Sequence, residues 1–145
     1  YNKVKASEEF PAEDVKEILA PSAAAKNVTI NVTGNSFTMK GVRRMLQEII
    51  YNLCDNGIKY NIPGGSVTIY AENNRLVVSD TGIGIPAEHK DRIFERFYRV
   101  DKSHSKASGG TGLGLSIVKH AAAYHNAEIA LESNPGKGTT ITIQF

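Results

Sequence analysis

Apolar positions recur at helical spacing in some stretches of the chain and alternate with polar ones in others. From Ala12 to Ala25, Val15, Ile18, Leu19 and Ala23 share one side, and Pro21 predicts either two pieces or one bent helix. Lys40 to Tyr60 is the longest helical stretch, stopped by Asn61-Ile62-Pro63-Gly64-Gly65. A short helix is predicted over Ala87–Phe97, and another from Gly112 to His125 with Ile117, Val118, Ala121 and Ala122 as its packing face. Strands are predicted at Val28–Val32, closed by Gly34-Asn35, and at Ser66–Ala71 and Leu76–Ser79, joined by the hairpin signal Asn73-Asn74. Two more, Ala127–Glu132 and Thr139–Phe145, flank Asn134-Pro135-Gly136-Lys137-Gly138. Residues 1–11 suit a short strand or a tail, and residues 99–111, polar and glycine-bearing, a mobile loop. Paired strands between helices predict an α/β two-layer sandwich, a mixed or antiparallel sheet with helices on one face.

Composition narrows the function. At 145 residues the chain suits one domain, residues 1–145, and neither an internal repeat nor a dividing linker is visible. Seventeen basic against fifteen acidic side chains give a net charge of only +2, which argues against a nucleic-acid binder working by bulk charge. The single cysteine, Cys54, excludes a disulfide framework and a multi-cysteine metal site. Apolar runs fall well short of the ~20 residues of a membrane span, and Tyr1–Lys5 lacks a signal peptide's apolar core. The expectation is a cytoplasmic domain taken from a longer protein.

The longest helix carries the first candidate chemistry. At about 100° per residue, Asn52, Asn56 and Lys59 fall within about 60° of one another. Leu46, Ile50, Leu53, Cys54 and Ile58 form an apolar arc, with Ile49 and Tyr60 beside the polar stripe. Such a stripe is either a solvated face or a ligand site. Asparagine is a poor helix former, and its amide oxygen suits a hard, hydrated cation such as Mg²⁺; a lysine one turn on can meet a phosphate. Gly57 falls inside the apolar arc and costs about 1 kcal/mol against alanine, which predicts close approach of another backbone. Cys54 is predicted to be a small buried hydrophobe.

Two loops add to this. Asp80-Thr81-Gly82-Ile83-Gly84-Ile85-Pro86 leaves a strand end, where a carboxylate can accept from the exocyclic amine of adenine while the glycines let a flat ligand press on backbone. The plain alternative is a tight turn with a solvated aspartate. Asp-Thr-Gly is also the signature of aspartic proteases, but that fold is almost wholly β and here helices flank the motif. Gly109-Gly110-Thr111-Gly112-Leu113-Gly114-Leu115 runs into a helix, a cradle of N–H groups for an anion. It lacks the Gly-Lys-Ser/Thr ending of a Walker A loop.

In order along the chain, these segments resemble the sequence boxes of sensor histidine kinases. Asn52-Leu53-Cys54-Asp55-Asn56-Gly57-Ile58-Lys59-Tyr60 is similar to the N box, Asp80-Thr81-Gly82-Ile83-Gly84 to the G1 box and Phe94-Glu95-Arg96-Phe97-Tyr98-Arg99 to the F box. Gly110-Thr111-Gly112-Leu113-Gly114-Leu115 is similar to the G2 box, and Gly136-Lys137-Gly138-Thr139-Thr140 to the closing G-x-G-T turn. The resemblance covers nearly the whole chain. It implies the Bergerat ATP-binding fold, with ATP and Mg²⁺ as ligands and residues 99–111 as an ATP lid pinned by Phe94 and Phe97. Asn56 would ligand Mg²⁺ with Asn52 near it, and Lys59 and Tyr60 would contact phosphate and ribose. Asp80 would read the adenine amine, with Gly82, Gly84 and Ile85 in the pocket wall. Phe97, Gly110, Thr111, Gly112, Leu113, Gly114, Leu115 and Thr140 would complete the nucleotide site. Arg99 or Arg96 would reach the terminal phosphate, the alternative being an ion pair with Glu95 or Asp101.

Departures from the family pattern are Gly57, usually alanine, and His125-Asn126-Ala127, usually His-Gly-Gly. Asparagine tolerates positive φ, so that turn is expected to survive. A phospho-accepting histidine followed by an acidic residue, Arg and Pro is not in the sequence; His89, His104, His120 and His125 stand in other contexts. The implied partners are a separate dimerisation domain bearing that histidine and, indirectly, a response regulator. The parent is implied to be a membrane-associated homodimer, the isolated domain a monomer. A serine kinase of the anti-sigma-factor type and an ATP-sensing module that transfers nothing are the alternatives on this fold.

Overall fold

The computed structural model describes residues 6–98 and 113–145, with side chains from Glu9 onward. Two strands, β1 (Ala6–Glu9) and β3 (Thr38–Gly41), pair antiparallel as a small ribbon. The main sheet has the order β2-β4-β5-β7-β6, from β2 (Thr29–Ser36), β4 (Ser66–Glu72), β5 (Arg75–Asp80), β6 (Glu128–Asn134) and β7 (Gly138–Gln144). Only β2 and β4 run parallel. Among the described residues three α-helices, α1 (Ala12–Ala25), α2 (Arg43–Lys59) and α3 (Gly114–Tyr124), contact the strands. This is the two-layer α/β sandwich that the sequence predicts.

Strand alternation separates the sheet faces. Val67, Ile69, Leu76, Val78, Ile141 and Ile143 are buried toward the helices. The apolar arc of α2 meets them with Leu46, Ile49, Ile50, Leu53, Cys54 and Ile58, all 3% exposed or less. Burial pushes the Cys54 thiol up to about 12, so it is an inert packing group. Phe10, Phe37 and Phe145 close one end of the core with ring centroids 4.9–6.2 Å apart.

Asparagine ends two helices in the same way. Asn27 (φ 56°) and Asn126 (φ 57°) occupy the left-handed position after α1 and α3. Val28 N–H then reaches back to Ala23 O, and Ala127 N–H to Ala122 O, both at 2.9 Å. The turn at Asn126 survives as expected. His125, beside it and buried, donates from Nδ1 to Ala121 O (2.8 Å) and accepts at Nε2 from Val42 N–H (3.1 Å). It ties the end of α3 to the start of α2.

Some expectations are corrected. α1 is one helix rather than two pieces, with Pro21 on its exposed side, and Ile18 is 51% exposed rather than part of the core face. Gly34-Asn35 does not end β2 but forms an irregularity inside it, between Thr33 and Ser36, because Glu72 binds the Asn35 backbone and side-chain amides. The helix expected over Ala87–Phe97 is only a 3₁₀ turn at Ala87–His89 followed by turns. Tyr98 anchors them, bonding His89 Nδ1 and lying under the Arg92 guanidinium, 4.6 Å from its ring centroid.

Candidate active site

The site forms where α2 ends against the edge of β5. Asp80 is the last residue of β5 and pairs in register with Val67 on β4 and Thr139 on β7. Its Oδ1 accepts two backbone N–H groups, from Gly82 at 2.8 Å and from Thr139 at 3.2 Å. Oδ2 has no hydrogen-bond partner among the described residues. Burial raises the carboxyl's pKa above its ordinary value, opposed by the two N–H bonds. Asp80 is thus not the solvated aspartate of a plain turn. It is a half-buried carboxylate with one oxygen fixed and the other open.

Helix α2 lies directly over this strand end. A β-carbon on Gly57 would stand 2.9 Å from Val67 Cγ2 and 3.4 Å from Asp80 Cβ. The close neighbours of Gly57 are therefore side-chain atoms, not the backbone that its position predicts. Glycine is needed because Val67, fully buried and β-branched, cannot turn aside.

The glycines after Asp80 serve the protein's own packing. A β-carbon at Gly82 would meet Tyr60 O at 2.4 Å, and one at Gly84 would meet Asn134 O at 2.1 Å. The loop thus presses on the end of α2 and on the β6–β7 turn. Ile83 N–H bonds Tyr60 O (3.0 Å) and Ile85 N–H bonds Ser133 Oγ (2.7 Å). Thr81 Oγ1 accepts from Ser66 N–H (2.9 Å) and donates to the buried Asn61 Oδ1 (3.2 Å), which ties the loop to the residues that end α2.

The polar stripe of α2 faces the same region. Asn52 donates from Nδ2 to Glu48 O (2.8 Å), and its Oδ1 lies 3.1 Å from where a β-carbon on Gly114 would be. The asparagine oxygen thus faces the N-terminal turn of α3, the end of a helix that favours an anion. Asn56 is half-buried, and its side chain makes no hydrogen bond among the described residues. Its unpaired amide oxygen, with Asn52 one turn away, is a hard neutral donor set suited to Mg²⁺ with retained waters. Lys59 does not stand free for a phosphate: it pairs with Asp55 at 2.9 Å, both side chains largely buried. Tyr60 is 41% exposed at the helix end.

Other predicted residues divide. Leu113 caps α3, its carbonyl accepting Ser116 Oγ (2.7 Å), and Leu115 packs on the core, so both have structural work. Phe94 packs against the core beside the buried Ile93, whereas Phe97, expected to pin the lid with it, is 62% exposed with φ 63°. The Arg96 guanidinium lies 5.2 Å from the Phe97 ring centroid, and Glu95 pairs with Arg92 instead. Thr140 is not brought to Asp80. It lies on the outer face of the sheet, bonded to Ser79 Oγ at 2.9 Å. The threonine beside Asp80 is Thr139, and Ser133 stands next to it on β6. Period-two alternation carried across from Asp80 would have identified both. Arg99, Gly110, Thr111 and Gly112 lie outside the described residues, as does the expected lid.

Residues 41–145 match the family model described as histidine kinase-, DNA gyrase B- and HSP90-like ATPase. The chain belongs to this family, and within it to the catalytic, ATP-binding domains of sensor histidine kinases. It is 40% identical to the sensor-like histidine kinase SenX3 of Mycolicibacterium smegmatis over 99% of its own length and 41% of that protein's. It is 44% identical to the phosphate regulon sensor protein PhoR of Pseudomonas aeruginosa over 74% of its length and 25% of PhoR. Among solved structures, the mycobacterial sensor histidine kinase MprB matches with a TM-score of 0.79 and 27% identity, covering 97% of this chain and 95% of that one. Full-length ShkA in complex with AMPPNP matches at TM-score 0.82 and 25% identity, over 99% of this chain and 31% of ShkA. The chain therefore spans less than half the length of these curated relatives.

Proposed function

We propose that the chain binds Mg·ATP and offers the γ-phosphoryl to a histidine on a separate dimerisation domain of its parent protein. The observation that carries this is Asp80. Two backbone N–H groups hold its Oδ1, which leaves Oδ2 as an oriented acceptor for the adenine amine. Thr139 flanks it on the same face, and Ile85 continues the loop that walls the pocket.

Phosphoryl transfer asks the protein mainly for positioning and charge neutralisation. Asn56, with Asn52, would hold Mg²⁺, which when bound neutralises phosphate charge. The N-terminal turn of α3 at Gly114 lies beside Asn52, where the helix dipole favours a phosphate. Lys59 reaches a phosphate only by leaving Asp55, and Tyr60 is open to a ribose. Arg99 or Arg96 would supply a planar donor to the terminal phosphate. Titrating residues of the chain itself need move no proton for this step.

The parent would be a membrane-associated homodimer with a cytoplasmic catalytic portion, signalling to a response regulator. No helix among the described residues is long and apolar enough to cross a membrane. The test is to mix the chain with separately expressed histidine-bearing dimerisation domains of sensor kinases and γ-labelled ATP. Acid-labile label on a partner histidine supports transfer. Label on a serine assigns the fold to a serine kinase, and ATP binding with no label on any partner assigns it to nucleotide sensing.

A further inference from the structure

Ser133 is a polar residue only 3% exposed, two strands from Asp80 with Thr139 on the strand between them. Its Oγ lies within hydrogen-bond distance of three groups: Ile85 N–H at 2.7 Å, Gly138 O at 3.1 Å and Thr139 Oγ1 at 2.7 Å. An amide N–H can only donate, a carbonyl can only accept, and a hydroxyl has one proton. One assignment satisfies all three contacts. Ser133 donates to Gly138 O and accepts from both Ile85 N–H and the Thr139 hydroxyl. The Thr139 proton is thereby committed, and its oxygen offers only lone pairs elsewhere.

Thr139 is the register partner of Asp80, lies on the same face, and binds Asp80 Oδ1 through its own N–H. An ionised Asp80 Oδ2 is likewise an acceptor alone. We propose that Ser133 is a specificity-positioning residue: by holding the Thr139 proton it makes the pocket beside Asp80 acceptor-only, and so selects a 6-amino over a 6-oxo purine. This rests on the reading of Asp80 as the base-recognition group. A 6-amino group carries two N–H donors and can satisfy both oxygens. A 6-oxo group would face two acceptors with no proton between them, and a buried polar group left unpaired is what gives polar sites their discrimination. If Ser133 is removed, the Thr139 hydroxyl can turn its proton into the pocket and the rule relaxes.

The experiment measures dissociation constants for ATP and for inosine triphosphate, its 6-oxo counterpart, on the 145-residue chain. The proteins are wild type, Ser133→Ala, Thr139→Val, Thr139→Ser and the Ser133→Ala/Thr139→Val double variant, each checked for folding by thermal melting. Wild type should prefer ATP, and Ser133→Ala should narrow that preference by about tenfold. Thr139→Val should narrow it similarly and Thr139→Ser should keep it. In the double variant the loss of Ser133 should change the ratio no further. Equal weakening of both nucleotides by Ser133→Ala, with the ratio unmoved, would overturn the proposal and leave Ser133 a packing residue. If Ser133→Ala does not fold, an unmoved ratio in Thr139→Val overturns it instead. Failure of wild type to bind either nucleotide is a different result: it removes the nucleotide reading, and this inference with it.

Discussion

Gly57 on α2 and Asp80 on β5 are in contact through the helix's missing side chain: a β-carbon on Gly57 would lie 3.4 Å from Cβ of Asp80. Helix and strand end can therefore meet at the point where one supplies the amide stripe and the other the carboxylate. The tighter neighbour is Val67 Cγ2 at 2.9 Å, on the strand beside Asp80. Gly57→Ala gains about 1 kcal/mol of helix propensity and loses about 1–3 kcal/mol to overpacking against a rigid side chain. The expected net is a loss of about 1 kcal/mol in denaturant unfolding. Val67→Ala opens room for the new methyl, so the double variant should be more stable than the sum of the single effects by at least about 0.5 kcal/mol.

The pH dependence follows from the raised pKa of Asp80. Above the unfolded pKa of about 3.9, the folded state binds more protons at this group than the unfolded one, so its contribution to stability falls as pH rises. That loss begins near the unfolded value and is complete above the raised folded one. Asp80→Asn keeps an oxygen for the Gly82 and Thr139 N–H groups and removes the ionisation. Thermal melts should show the variant above wild type at neutral pH and level with it below about pH 3.9. Nucleotide affinity should run the other way. Wild-type binding of ATP should weaken as pH drops through the raised pKa, because a protonated Oδ2 becomes a donor facing a donor.

Asn56 separates stability from ligand binding. Its side chain makes no hydrogen bond among the described residues, and the residue sits inside a helix, where asparagine is less favourable than alanine by up to about 0.7 kcal/mol. Asn56→Ala should therefore melt at the same temperature or slightly higher. Its ATP affinity should lose the enhancement that Mg²⁺ gives wild type. A variant that melts lower and keeps the Mg²⁺ effect would place the metal elsewhere.

The sequence made the fold legible wherever local chemistry and global packing agree. The apolar arc of α2, the alternation of β4 and β5, and the Asn73-Asn74 turn, with both residues at positive φ, all follow from period and turn preference. Asn126 is legible for the same reason: after glycine, asparagine best tolerates the left-handed turn that ends α3. Pro21 leaves two pieces or one helix open, because helix continuity depends on packing from Val15, Leu19 and Ala23 as well as on one lost N–H. Thr140 misleads because a motif identifies a segment but not which of two adjacent threonines faces inward. The register with Asp80 decides for Thr139. The Ser133 contacts with Ile85 and Thr139 come from separate positions in the chain, so no local pattern announces them. Lys59 is legible as part of the stripe, but its pairing with Asp55 is a choice among partners that geometry alone settles.

The central claim is that Asp80, fixed through Oδ1 and open at Oδ2, reads the base of a bound adenine nucleotide. Calorimetric titration of ATP into the wild-type chain and into Asp80→Asn tests it most directly, at neutral pH with Mg²⁺ present. The account predicts saturable binding to wild type and at least about tenfold weaker binding to a variant that is folded and melts no lower. Equal affinity in the two proteins, or no binding to wild type, would contradict it.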